Sequence, residues 1–260
     1  MTPIIPVVEA VMRRRILVNF RIRPEVVAPL LPPPFQPKLV AGWAMGGICL
    51  IRLEEMRPTW LPRACRVSSE NAAHRIAVTW TENGRKREGV FIPRRDTNSV
   101  LNRVAGGRLF PSVPHSAKFV CAQEGNRFQV ALRSQDGETR VNVVARKTDQ
   151  WPAGSVFNSL ASASEFFRSG ACGWSPAKSG GLEGVELQTD TWKMHALVVE
   201  RAESSFFDDL RRFPRGSIEF DSALLMEGIP HRWHALGEFG KSPQGRADHY
   251  RRTLPFFEMP

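Results

Sequence analysis

Lysine and tyrosine are scarce in this chain: seven lysines and one tyrosine in 260 residues, against 29 arginines. The shortage of lysine leaves few amines for imine chemistry, and arginine, which stays protonated, cannot stand in for them. Cysteine is also rare. Cys49, Cys65, Cys121 and Cys172 form no Cys-x-x-Cys pair and no Cys/His ligand spacing, so neither a structural metal nor a disulfide framework is expected, and the thiols read as reduced small hydrophobes. Long apolar runs are missing too. The uncharged stretch near the front, Leu39 to Ile51, is thirteen residues with three glycines, short of the roughly 18–20 that span a bilayer. The basic cluster Arg13-Arg14-Arg15 follows the first apolar residues instead of preceding them, the wrong order for a secretory signal. The expectation is a cytoplasmic protein with no membrane partner.

What is present fits an ordinary globular core. Hydrophobic residues make up 42% and charged residues 24%, and twenty glycines with twenty prolines imply many turns and few helices. Segments alternating at period two, or short β-rich runs between turn residues, fall at 15–22, 43–53, 72–81, 87–93, 117–123, 127–133, 139–146, 183–188, 192–201, 217–225 and 231–236. Glu82-Asn83-Gly84 and Gln135-Asp136-Gly137 carry the hairpin pairs that accept positive φ. Helical patterns cover Pro24–Leu31, Thr97–Ala105 and Ser155–Arg168, with a short turn near Ser204–Arg212. The reading is mainly β (α+β): a strongly curved antiparallel sheet or barrel with a few short flanking helices, in a single domain over 1–260. The Gly/Ser-rich piece from Ser169 to Gly184 reads as an exposed loop, the alternative being a soft boundary between two β-rich halves.

Residues 70 to 118 hold the chemistry. On the strand following Glu70, alternation puts Ala72, His74, Ile76, Val78 and Trp80 on one face and Ala73, Arg75, Ala77 and Thr79 on the other, with Glu70 sharing the parity of His74. His74 is either a hydrogen-bonded core residue or a titratable group in a cavity. In Pro93-Arg94-Arg95-Asp96-Thr97-Asn98-Ser99 the strand is expected to end at Pro93, and Asp96 or Thr97 to cap a helix ended by Gly106-Gly107. That helix start beside an arginine suits a carboxylate or phosphate, making Arg94, Arg95, Asp96 and Asn98 candidate ligand-binding residues. Alternation sends Arg94 and Arg95 to opposite sides, so only one faces a lumen; the alternative is a structural pair with Asp96 or Glu70. Glu70, His74 and His115 are the acid/base candidates, although a loop histidine such as His115 can equally be plain surface.

The runs Leu17-Val18-Asn19-Phe20, Pro24 to Pro33, Glu70 to Arg75, Ile92 to Ser99 and Gly106 to Pro111 resemble the bacterial, uncharacterised YqjF-like domain-of-unknown-function family of the acetoacetate-decarboxylase-like superfamily. The likeness covers about residues 12–120 and extends to closing strands between Pro214 and Leu236. It implies a cone-shaped antiparallel β-barrel with an internal pocket. In the decarboxylase, a lysine of a Pro-Lys-Lys segment forms a Schiff base with a β-keto acid, its basicity lowered by burial and by the adjacent cation. Pro93-Arg94-Arg95 looks equivalent here, so the resemblance implies a pocket for a small acidic molecule without that nucleophile.

Two functions therefore share one scaffold: an enzyme, lyase-like or hydrolytic, acting on a small carboxylate or carbonyl compound, and a non-catalytic binder of a small anion. No cofactor is expected. A net charge of +10 raises nucleic acid as a partner, but the arginines are spread along the chain and no binding module accompanies them. The stretch from Lys241 to Pro260, basic and then apolar, either docks on its own barrel or packs on a neighbouring subunit as a homo-oligomer contact.

Overall fold

The computed structural model describes residues 7–99, 114–177 and 180–240. Thirteen strands are present among them: β1 (Val7–Ile22), β2 (Gln36–Pro37), β3 (Leu39–Val40), β4 (Trp43–Pro58), β5 (Val67–Glu82), β6 (Arg85–Thr97), β7 (His115–Glu124), β8 (Arg127–Ser134), β9 (Arg140–Thr148), β10 (Cys172–Pro176), β11 (Leu182–Gln188), β12 (His195–Ser204) and β13 (Ile218–Glu238). Among the described residues helix is confined to α1 (Pro24–Val27), α2 (Leu160–Arg168) and two 3-10 turns.

Five long strands form an antiparallel wall in the order β13-β1-β4-β5-β6, and this wall closes twice. One closure runs from the end of β6 through β7, β8, β9 and β12 to the first half of β13, where Leu197 pairs with Ala223. The other runs from the middle of β6 through β10 and β11 to the second half of β13, where Leu187 pairs with Trp233. Both departures from β6 are parallel pairings, Asp96 with His115 and Val90 with Gly173, while every other pairing is antiparallel. The sheet is thus two fused rings sharing one wall.

A shared wall is buried on both faces, which explains why its strands read as near-continuous apolar runs such as Ile16-Leu17-Val18 and Ala223-Leu224-Leu225-Met226. Ile16, Val18, Ile48, Ile76 and Leu225 face one cluster, shared with Phe128 and Val143 of the first ring. Leu17, Met45, Cys49, Ala77 and Leu224 face a second, covered by Phe157 and Phe167. Phe167 is the apolar side of α2, a helix begun by Ser159, whose side chain accepts from the Ser162 amide while the Ser162 hydroxyl takes the Ser159 N–H.

Three local expectations need correction. Pro93 does not end a strand: β6 continues to Thr97, and the proline sits in a bulge where Phe91 and Arg94 oppose Ile76 and His74. A bulge is where a strand tolerates a residue with no N–H to donate. The loop expected at 169–184 contains β10, held between β6 and β11. The segments 217–225 and 231–236 are one strand, bent near Gly228, which has φ 66°. Thr97 is the last residue of β6, and its hydroxyl accepts from the Ser99 amide at 3.1 Å, the bond a capping side chain makes; the expected helix beyond it and the 241–260 tail lie outside the described residues. At Ser204–Arg212 the chain turns without forming a helix. The Asn83-Gly84 hairpin stands as read, with φ 51° and 72° between Glu82 and its partner Arg85.

The close packing of β1 on β4 rests on glycine. A Cβ at Gly47 would lie 2.3 Å from the Val18 carbonyl oxygen, a backbone atom that cannot rotate away. Gly47→Ala is expected to cost about 1–3 kcal/mol, the range for overpacking a rigid site, read as a lowered urea midpoint with an unchanged slope; a wild-type midpoint would contradict the close approach.

Candidate functional site

The second ring is not filled. A cavity of about 110 Å³ lies against its wall, lined from β1 by Arg15, from β4 by Cys49, Ile51 and Leu53, from β5 by Ala73 and Arg75, and from β6 by Ile92 and Arg95. Gly173, Val185, Leu187, Trp192 and Trp233 also line it. Since roughly 10–15 Å³ on this measure holds one water, the space suits a molecule of several heavy atoms.

The register explains why these residues meet. Cys49 pairs with Ala73 and Ala73 pairs with Arg95, so the three form a row across β4, β5 and β6 on one face. Arg15 is two residues along β1 from Leu17, the partner of Cys49, and Arg75 is two residues along β5 from Ala73. The bulge at Ile92-Pro93 keeps Phe91 and Arg94 on the other face and leaves Arg95 with Ile92 on the cavity side.

Three guanidinium groups therefore line one small space, and none of Arg15, Arg75 and Arg95 has a carboxylate within ion-pair distance among the described residues. Arg75 is 4% exposed. It donates to the Asn19 side-chain oxygen, lies 4.7 Å from the centre of the Phe167 ring, and keeps its Nε without a hydrogen-bond partner among the described residues. Arg95 donates from Nε to Ser175 Oγ at 3.0 Å, while its shielded Nη2 has no partner in the described structure. Burial pushes both guanidinium groups down to about 10, so both stay charged at neutral pH. Arg15 donates from Nε to Cys49 Sγ at 3.3 Å. Buried cations with unused donors and no anion are costly unless something else satisfies them.

The other candidate residues lie elsewhere. Arg94 binds Asp96 at 2.9 Å and Asp136 at 2.8 Å, and His115 Nδ1 stands 2.9 Å from Asp136. These four pin β7 and the β8–β9 turn to the end of β6, so the structural pairing with Asp96 is what Arg94 makes. Asp96 borders the cavity, but its carboxylate is taken up by Arg94; burial raises its protonation tendency against that attraction. Asn98 is exposed and accepts the Glu70 amide at 2.9 Å. Glu70 and His74 both miss the cavity. Glu70 forms a buried ion pair with Arg14 at 2.6 Å, and burial raises its pKa although Arg14 and Arg52 pull the other way. His74 is wholly buried on the first-cluster face, its Nε2 3.1 Å from Ser204 Oγ and its ring 4.9 Å from that of Phe206. Its Nδ1 is shielded and has no hydrogen-bond partner among the described residues.

Arg15, Arg75 and Cys49 were not singled out from the sequence. The available signal was an arginine between two alanines inside a buried strand, Ala73-x-Arg75-x-Ala77: small neighbours leave room, and a lone cation there needs a reason.

Among solved structures this architecture is similar to that of acetoacetate decarboxylases. An acetoacetate decarboxylase from Legionella pneumophila superposes with TM-score 0.55 at 10% identity, over 90% of this chain and 88% of that one. An acetoacetate decarboxylase-like enzyme from Sphingomonas wittichii gives 0.55 at 14% identity, over 90% and 92%. The enduracididine biosynthesis enzyme MppR, complexed with pyruvate, gives 0.50 at 16%, over 92% and 90%. The fold is therefore of the acetoacetate-decarboxylase-like class. Within that class the chain belongs to the DUF2071 family, described as uncharacterized conserved protein (COG2071), which matches residues 9–215. No curated protein sequence matches it.

Burial pushes His74 down to about 3, helped by the charges of Arg94 and Arg212, and pushes His231 down to about 4. The unfolded chain therefore binds more protons than the native state between these values and about 6.5, and stability falls as pH drops through that window. Between pH 7 and 5 the His74 contribution is about 2 kcal/mol. Urea titrations should show this loss, and His74→Gln should flatten it; an unchanged slope in that variant would mean that His74 is not the neutral core group described.

Proposed function

We propose that this protein binds a small carboxylate, of the size of a short keto acid, inside its second ring, and that any turnover of it proceeds without an imine. One observation carries the reading: three guanidinium groups on one enclosed surface, with shielded donors on Arg75 and Arg95 that no described group satisfies. An anion in the cavity would supply the missing acceptors, and a carboxylate matches the planar fork of a guanidinium. No lysine is among the lining residues, and Arg95 lies in the segment where the superfamily resemblance leads one to look for the imine-forming lysine. The fold-level likeness to acetoacetate decarboxylase, and to an MppR complexed with pyruvate, supports a ligand of this class.

The cavity arginines and the ion-paired ones give opposite expectations. Losing a charge-assisted hydrogen bond costs roughly 1.5–3 kcal/mol, or about 10- to 150-fold in affinity. Arg95→Met should lose that much binding of pyruvate or acetoacetate in calorimetric titration. Arg94→Met should bind like wild type but unfold at lower urea, since it breaks the Asp96 and Asp136 pairs. Equal effects of the two substitutions, or no binding of either acid to the wild-type protein, would overturn the proposal.

A further inference from the structure

We infer that Cys49 is the covalent group of this cavity, a thiol placed to add reversibly to the carbonyl carbon of a bound 2-keto acid. The inference rests on the reading of the cavity as a carboxylate site and extends it to the part of the ligand next to the carboxylate.

Cys49 lines the centre of the arginine cluster. Its Sγ lies 3.3 Å from Arg15 Nε, and in the sheet it is separated from Arg95 only by Ala73. Adjacent strands are about 4.8 Å apart, so Cys49 and Arg95 start about 10 Å from one another across the methyl group of an alanine. The Arg95 guanidinium lies on the β10 side, with Nε donating to Ser175 Oγ at 3.0 Å and Nη2 beside Gly173. A carboxylate held at the unpartnered Nη2 of Arg95, or at the unpartnered Nε of Arg75, shares one cavity with the Cys49 thiol. No lysine, serine, threonine or histidine competes for the role among the lining residues, since the cavity is otherwise bounded by apolar side chains, glycines, the arginines, Asn71, Asp96 and Pro114.

The step balances without a further reactant. The sulfur forms a bond to the carbonyl carbon, the C=O π pair moves to the oxygen, and that oxygen takes the proton which the thiol gives up. Nothing is oxidised or reduced, and no group leaves. The oxygen that gains charge lies among guanidinium donors, the arrangement that stabilises an addition of this kind.

Alkylation tests the placement. Iodoacetate is an anion with an electrophilic carbon beside its carboxylate, whereas iodoacetamide is neutral, and Cys65 and Cys121 are exposed references in the same chain. Peptide mapping of the native protein should show a rate ratio of iodoacetate to iodoacetamide at least tenfold higher at Cys49 than at Cys65. Arg95→Met should reduce that ratio to the reference value, and titration with [2-13C]pyruvate should give a protein-dependent tetrahedral carbon signal, separate from that of free pyruvate hydrate, that Cys49→Ser abolishes. An unlabelled Cys49, or a missing tetrahedral signal in a protein that still binds pyruvate, overturns the nucleophile and leaves the carboxylate site standing. Equal ratios at Cys49 and Cys65, with no calorimetric binding, overturn both.

Discussion

The wall β13-β1-β4-β5-β6 has to be covered on both faces, and most of this structure follows from that requirement. Its strands carry apolar side chains on alternate positions of both parities, as in Ile16-Leu17-Val18, so neither face is stable in water. One solution would be two layers of helix, as in parallel sheets. The described residues hold too little helix for that, and the wall's own edge strands instead pair with neighbours on either side. β6 and β13 each have two partners along their free edge, one for each ring. The Arg94-Asp96-Asp136-His115 cluster sits where β6 hands over from one ring to the other, and its ion pairs hold the parallel contact that hydrogen bonding alone makes over two residues.

The cavity is a consequence of the same arrangement. The first ring is filled by Phe128, Phe207 and Phe213, but the second is narrower and uses small or charged residues at the corresponding level, namely Ala73, Gly173, Arg15, Arg75 and Arg95. Guanidinium groups repel one another and cannot pack as densely as aromatic rings. The space is lined by three guanidinium groups and one thiol, with the Arg94-bound Asp96 and Asn71 at its border.

Much of this was legible in the chain. Period-two patterning located the strands because it is a local property of extended backbone, and the Asn83-Gly84 hairpin was readable because few other residue pairs accept its dihedrals. The opposite orientation of Arg94 and Arg95 followed from the same alternation. Where the local reading failed, a long-range contact had intervened. Pro93 looks like a strand end until the bulge that accommodates it is seen, and β10 looks like a Gly/Ser loop because what makes it a strand is the pairing of Gly173 and Trp174 with Val90 and Phe91. Glu70 and His74 attracted attention because their residue types do chemistry elsewhere; here one is an ion-pair partner of Arg14 and the other a core hydrogen-bonding group.

By itself the sequence determined that the protein is a β-rich, arginine-dominated fold with no lysine beside Pro93, and that the two faces of the strand after Glu70 carry His74 and Arg75 respectively. Only the tertiary structure decided which of those faces encloses a ligand-sized space. Both faces are apolar and both are buried, so parity alone cannot rank them. The choice was made by strand pairing far along the chain, where β10 and β11 close over Arg75 and Cys49 while β8 and β9 pack against the side of His74.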